Sequence, residues 1–227
     1  MEAELERRFG LRTELFEHSD FRVEIVVPAS PEDLLDEVEF DSDERLPYWA
    51  ELWPSARALA RHLLDEPHLA GPAIELGCGV GLPSLALRHR GIETLATDYY
   101  PDALRFTRVN AGRNGIPEPT ALLLDWRYPP QDLGTFPLVV AADVLYESRN
   151  VNPLADLLLR LGADGGCAIL ADPGRLHFPR FLNRLASEGW KAEELGTHVE
   201  PSPAGRGLTV SVDLVRLSPP IRSTLLL

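Results

Sequence analysis

The chain has 227 residues, of which 44% are apolar and 25% charged, proportions that exclude a disordered or membrane-embedded chain and allow a single well-buried core. At that length one sizeable domain with a small extension is expected. The formal net charge of −13 sets nucleic acid aside as a substrate, because a broadly acidic surface is repelled by a polyphosphate.

From Glu2 to Glu17 the apolar residues Leu5, Phe9, Leu11, Leu15 and Phe16 recur at roughly helical spacing, interrupted by Gly10. "FRVEIVV" alternates as a strand does and ends at Pro28. "SPEDLLDEVE" predicts a short helix with Ser30 as N-cap and Pro31 at its first position. Residues 1–46 are therefore expected to form an accessory arm, and residues 47–227 the main domain. After Pro54, "SARALARHLLDEP" places Ala58, Leu59, Leu63 and Leu64 on one helical face.

A regular alternation follows. "AIEL" reads as a buried strand, "LPSLALRHR" as a helix, "IETLATD" as a strand, and "PDALRFTRVNAGRNG" as a helix closed by Gly115. Then come "TALLLD", "FPLVVAAD", a helix over 152–161, "GCAILAD" and a helix around "HFPRFLNRLASEG". Strands alternating with helices predict an α/β fold with a doubly wound, mostly parallel sheet covered on both faces. The end of the chain departs from that rhythm: "WKAEELGTHVE" and "LTVSVDLVRLS", separated by "PSPAGRG", predict an antiparallel hairpin at the sheet edge.

Three glycines, Gly77, Gly79 and Gly81, follow the first buried strand of the alternation in "AIELGCGVGLPS". Bare backbone in that position serves a tight turn or a ligand lying against the main chain. The dinucleotide fingerprint G-x-G-x-x-G is not met, because Leu82 occupies its last position. The spacing E-x-G-x-G-x-G suits S-adenosylmethionine, whose amino-acid part needs bare backbone with a carboxylate, here Glu75, near its ammonium. Asp98 closes the second strand about 20 residues on, where an acid can accept hydrogen bonds from ribose hydroxyls or cap the next helix. Asp125 and Trp126 follow the third strand, placed to accept from an adenine amino group and to stack on its ring.

From about Pro47 to Leu217 the chain resembles class I, seven-stranded, Rossmann-like S-adenosylmethionine-dependent methyltransferases, and within them methyltransferase family 16, rich in protein lysine methyltransferases. The resemblance rests on "PYWAELWPSARALARHL", "IELGCGVGLPSLAL", "TDYYPDALRFTRVNA", "LLDWR" and "VVAADVLYE". The first of these is similar to the branch that methylates the electron-transfer flavoprotein beta subunit. The resemblance implies an S-adenosylmethionine pocket built from Trp53, Glu75, Gly77, Cys78, Gly79, Gly81, Asp98, Tyr99, Asp125, Trp126 and Ala142. It also implies that "DVLY", Asp143 to Tyr146, marks the catalytic region. Methyl transfer is an in-line displacement, so the expected task of Asp143 is to orient the incoming amine and that of Tyr146 to wall its channel.

Relatives that methylate amide or nucleobase nitrogens carry D/N-P-P-Y/F there, and "ADVLY" lacks both prolines. The expected activity is N-methylation of a lysine in a protein substrate. The alternatives are a small nicotinamide-like amine as acceptor, or a non-catalytic module that binds the cofactor. Other features carry less. The histidines are scattered, which indicates no metal site. Asp172, Pro173 and Gly174 follow the fifth strand and read as a loop, with the border of the substrate entrance as the alternative; the acidic run from Glu32 reads as a solvated surface or as an attractor for a basic segment. The two cysteines, Cys78 and Cys167, show no framework spacing, and the N-terminal residues do not read as a secretory leader. A cytoplasmic enzyme is expected, with no membrane partner and a monomer favoured.

Overall fold

The structure, a computed structural model, describes residues 1–30, 48–203, 205 and 207–220. Its elements in chain order begin with α1 (Glu2–Phe9), β1 (Leu11–His18), β2 (Phe21–Pro28), α2 (Pro54–Asp65) and β3 (Ala73–Leu76). They continue with α3 (Leu82–His89), β4 (Thr94–Asp98), α4 (Pro101–Arg113), β5 (Thr120–Leu123) and β6 (Phe136–Ala142). The last are α5 (Val151–Leu161), β7 (Gly162–Asp172), α6 (Phe178–Ser187), β8 (Lys191–Pro201) and β9 (Thr209–Ser218). The helix expected over "SPEDLLDEVE" and the acidic run from Glu32 lie outside the described residues.

One sheet runs in the order β5-β4-β3-β6-β7-β9-β8. Its first five strands are mutually parallel, whereas β9 is antiparallel to both β7 and β8, so the C-terminal hairpin forms the edge as expected. The central strands are covered on both faces, which is why β3 reads "AIEL" with every residue buried. Helices α2 and α4 each open on a proline, a residue already set for the first helical position. The chain winds from β3 to β4 and β5 on one side, then returns to β6 and β7 on the other. Ligands of such sheets bind where the winding reverses, outside the carboxyl ends of β3 and β6.

The N-terminal segment differs from its helical spacing. The helix stops at Phe9, Gly10 turns the chain at φ 57°, and Leu11–His18 becomes a strand paired residue by residue with β2. As a strand the segment puts Phe16 on the buried face and Leu15 on the exposed one. Pairing decides, because it satisfies the main chain of both strands and buries Phe16, Phe21, Val23 and Ile25 together. These side chains share a core with Val80, Leu82 and Phe106 of the main sheet's helical layer. Each contributes about 2 kcal/mol through burial. No helix among the described residues is long and apolar enough to cross a membrane.

Asn110, fully buried on α4, joins the hairpin to the turn after β3. Its Oδ1 accepts from Val26 N at 2.7 Å, and its Nδ2 donates to Val26 O at 3.0 Å and Val80 O at 2.9 Å. Replacing it would strand a buried N–H and two buried carbonyls. Asn110→Leu is expected to cost about 2–4 kcal/mol in urea unfolding, against under about 1 kcal/mol for Asn114→Ala, whose hydrogen bonds to Glu24 are exposed. Equal costs would show that Asn110 is an ordinary helix residue.

Candidate active site

The turn leaving β3 bends through left-handed backbone three times, with φ 75° at Gly77, 51° at Gly79 and 94° at Gly81. Side chains rarely adopt those angles. The turn is secured by the end of β4. Gly77 N and Cys78 N both donate to Thr97 O at 2.9 Å, and Thr97 Oγ1 donates to Glu75 O at 2.6 Å. The Asp98 carboxylate accepts from Gly79 N and Tyr100 N, each at 2.9 Å. Space forbids side chains here as well. A Cβ at Gly77 would lie 3.1 Å from Val144 Cγ1, and one at Gly81 would overlap Thr107 at 2.7 Å.

These bonds open a cavity of about 250 Å³ at the reversal of winding. Trp53, Glu75, Gly77, Cys78, Gly79, Asp98, Tyr99, Asp125, Trp126, Ala142, Asp143 and Tyr146 all line it. Of the cofactor-binding and catalytic residues expected from the sequence, Gly81 alone does not. Its lack of a side chain is explained by the close approach of α3 to Thr107 on α4. Cys78 contributes main chain to the turn, and burial pushes its thiol well above the usual range, so it does not act as a nucleophile.

Glu75 is buried, and burial raises its carboxyl to about 8 against the lowering effect of hydrogen bonding to Ser84, whose hydroxyl donates to Oε2. Asp98 is raised to about 6, again chiefly by burial, with the backbone N–H groups of Tyr100 and Gly79 pulling the other way. An acid held this far above its ordinary value will ionise readily once a cation arrives. Glu51, Asp125 and Asp143 line the same cavity, as do Arg127 and Arg149, so carboxylates outnumber guanidinium groups five to two. The Asp125 carboxylate, placed by the sequence near an adenine, is engaged by Arg127 through Nε at 2.9 Å and Nη2 at 2.6 Å. Beside it, Trp126 Nε1 is buried without a hydrogen-bond partner.

Asp143 follows β6 with φ 54°, a backbone that few residues other than glycine tolerate. Its N–H donates to Ala171 O at 2.9 Å, and Asn150 Nδ2 donates to Val144 O at 3.1 Å, which together fix the segment. Tyr146 meets Tyr48 edge to face, with ring centroids 4.9 Å apart, and Tyr48 O accepts from Trp53 Nε1 at 2.6 Å. An aromatic wall thus stands beside the carboxylate. Both Asp143 oxygens are held by Arg175, Nε to Oδ1 at 2.6 Å and Nη2 to Oδ2 at 2.8 Å. The sequence offered no signal for this pairing, since 32 positions separate the partners. Asp172, already noted as a border residue, accepts from the N–H groups of Gly174 and Arg175 and so presents the guanidinium.

A family model described as lysine methyltransferase matches residues 37–185. The electron transfer flavoprotein beta subunit lysine methyltransferase of Xenopus laevis is 33% identical over 166 residues, 66% of this chain and 65% of that protein. The protein of the same name from Rattus norvegicus is 33% identical over 175 residues, 73% of this chain and 65% of that one. The chain thus spans just under two thirds of the length of these curated relatives. Among solved structures, magnesium protoporphyrin IX methyltransferase from Synechocystis with bound S-adenosylmethionine aligns with a TM-score of 0.55. It is 18% identical, over 78% of this chain and 82% of that one. The chain belongs to the lysine methyltransferase family.

The buried acids set a pH dependence. A carboxyl raised in the folded state binds a proton that the unfolded chain has released, so its stabilising effect is complete below the unfolded value and is lost as pH rises through the folded one. For Glu75 that window runs from 4.5 to about 8, and for Asp98 from 3.8 to about 6. Between pH 6 and 8, Glu75→Gln is therefore expected to lose less stability than the wild type, the gap in urea midpoint widening toward pH 8. Parallel curves would show that Glu75 is not forced to ionise.

Proposed function

We propose, proceeding from that family membership, that the protein transfers a methyl group from S-adenosylmethionine to a lysine side chain of a protein. The observation that carries the reading is the contact between the two halves of the site. Val144, inside the D-x-x-Y segment, stands against Gly77, so the glycine turn and Asp143 flank one cavity. The residues present fit the cofactor. Glu75 suits its ammonium, directly or through water. Asp98 has a lone pair beyond its backbone bonds for a ribose hydroxyl. Tyr99 and Trp126 offer aromatic faces for adenine, the latter with an unpartnered N–H, and Trp53 suits a cationic centre.

Bound there, S-adenosylmethionine supplies a methyl group on a cationic sulfur, whose charge also disfavours protonation of a nearby amine. The chain's part is alignment. Asp143 accepts a hydrogen bond from the acceptor nitrogen and so directs its lone pair, while Tyr48 and Tyr146 confine the alkyl stem. A monomeric cytoplasmic enzyme acting on protein and not nucleic acid completes the reading, supported by the net charge of −13 and two free cysteines.

Incubating the protein with radiolabelled S-adenosylmethionine and a cell extract tests the reading. Label is expected in protein bands as methyl-lysine, reduced about 100-fold by Asp143→Asn through lost alignment. Lys191 is the chain's only lysine, so self-labelling is confined to one residue. Label confined to small molecules would instead indicate an amine metabolite as acceptor. Absence of label in every fraction would indicate a binding module.

A further inference from the structure

Asp143 is the anionic group at the acceptor end of the cavity, yet its carboxylate already carries a cation. The Arg175 guanidinium makes two parallel charge-assisted bonds to it, the geometry in which arginine and carboxylate bind best. The arginine side chain is 37% exposed and that of Asp143 5%, so the guanidinium stands between the buried carboxylate and solvent. It is delivered by the loop after β7. Asp172, at the end of that strand, accepts from Gly174 N at 2.9 Å and Arg175 N at 2.7 Å, and Gly174 turns the chain at φ 87°. Leu176, the next residue, is 87% exposed.

A lysine side chain also ends in a cation. To reach Asp143 from solvent it must displace the guanidinium, which holds both carboxylate oxygens and covers their exposed side. We propose that Arg175 is a specificity-determining residue that occupies the acceptor-lysine position until a protein substrate displaces it; this rests on the methyltransferase reading above. Displacement exchanges one cation for another at the same acid, so charge balances. A free amine brings little beyond that exchange. A folded substrate brings contacts elsewhere on its surface, and their energy opens the position. The arginine therefore selects protein-borne lysine over small amines.

The test uses n-butylammonium chloride, a lysine side chain without its peptide, titrated into the protein and followed by ligand-detected NMR. Arg175→Met should bind it about tenfold more tightly than the wild type, a modest factor because the pair is partly exposed and screened. Arg175→Lys, which keeps a cation on the loop, should stay within about twofold of the wild type. Combining Arg175→Met with Asp143→Asn should abolish the gain. Arg149→Met, which removes a guanidinium that lines the cavity, reports the general effect of charge and should leave affinity near the wild-type value.

Equal affinity in the wild type and Arg175→Met, or an equal gain in Arg149→Met, would overturn the proposal. Arg175→Gln serves as a second neutral variant should the methionine protein fail to fold. S-adenosylhomocysteine binding, measured on the wild type and the Arg175 variants, separates the two readings. Its loss in the wild type would strike at the methyltransferase assignment, whereas unchanged cofactor-product binding with no gain for n-butylammonium would strike at Arg175 alone.

Discussion

The backbone hydrogen bonds that tie the turn after β3 to the end of β4 are the constraint on which the site depends. Three left-handed residues within five positions have no helical or sheet partners of their own, and a polar main chain left unpaired in a buried place is costly. Thr97 O and the Asp98 carboxylate accept three of its N–H groups. Because those acceptors belong to the neighbouring parallel strand, the turn inherits the rigidity of the sheet. Within the turn, Gly77 and Gly79 present bare main chain to the cavity. Asn110 extends the same bracing outward, linking Val80 of the turn to Val26 of the N-terminal hairpin.

The charges follow from the same architecture. Acids gathered at strand ends are desolvated by the helices that cover the sheet, and each is kept by a different device. Glu75 is held near neutrality by burial, with a single hydroxyl donor. Asp98 is satisfied by main chain, and Asp125 and Asp143 by arginines. A cavity arranged in this way is rich in carboxylates, one held protonated by burial and two paired with arginines. It combines aromatic walls with acids that are buried, hydrogen-bonded or paired.

Much of this was legible in the sequence because the signals were local. Hydrophobic runs between glycine and proline marked the strands of the parallel sheet, and "LTVSVDLVRLS" announced the antiparallel edge by its alternation. Gly77, Gly79 and the acids at strand ends fell in the cavity since a doubly wound sheet brings the carboxyl ends of its strands together. What was not legible depended on contacts between distant positions. The helical spacing of Leu11, Leu15 and Phe16 concealed a strand, because the deciding partner was β2. Gly81 looked like a ligand contact but answers to Thr107 across a helix interface. Arg175 gave no local hint, its meaning depending on a carboxylate from another strand.

The central claim is that this braced, glycine-rich turn holds an adenosyl cofactor, and calorimetric titration of the purified protein with S-adenosylhomocysteine addresses it most directly. The account predicts saturable binding of one molecule per chain, weakened in Gly79→Val, where φ 51° and a carbonyl 3.2 Å from the new Cβ forbid the present turn. A wild-type protein that is folded yet takes up no S-adenosylhomocysteine would contradict it.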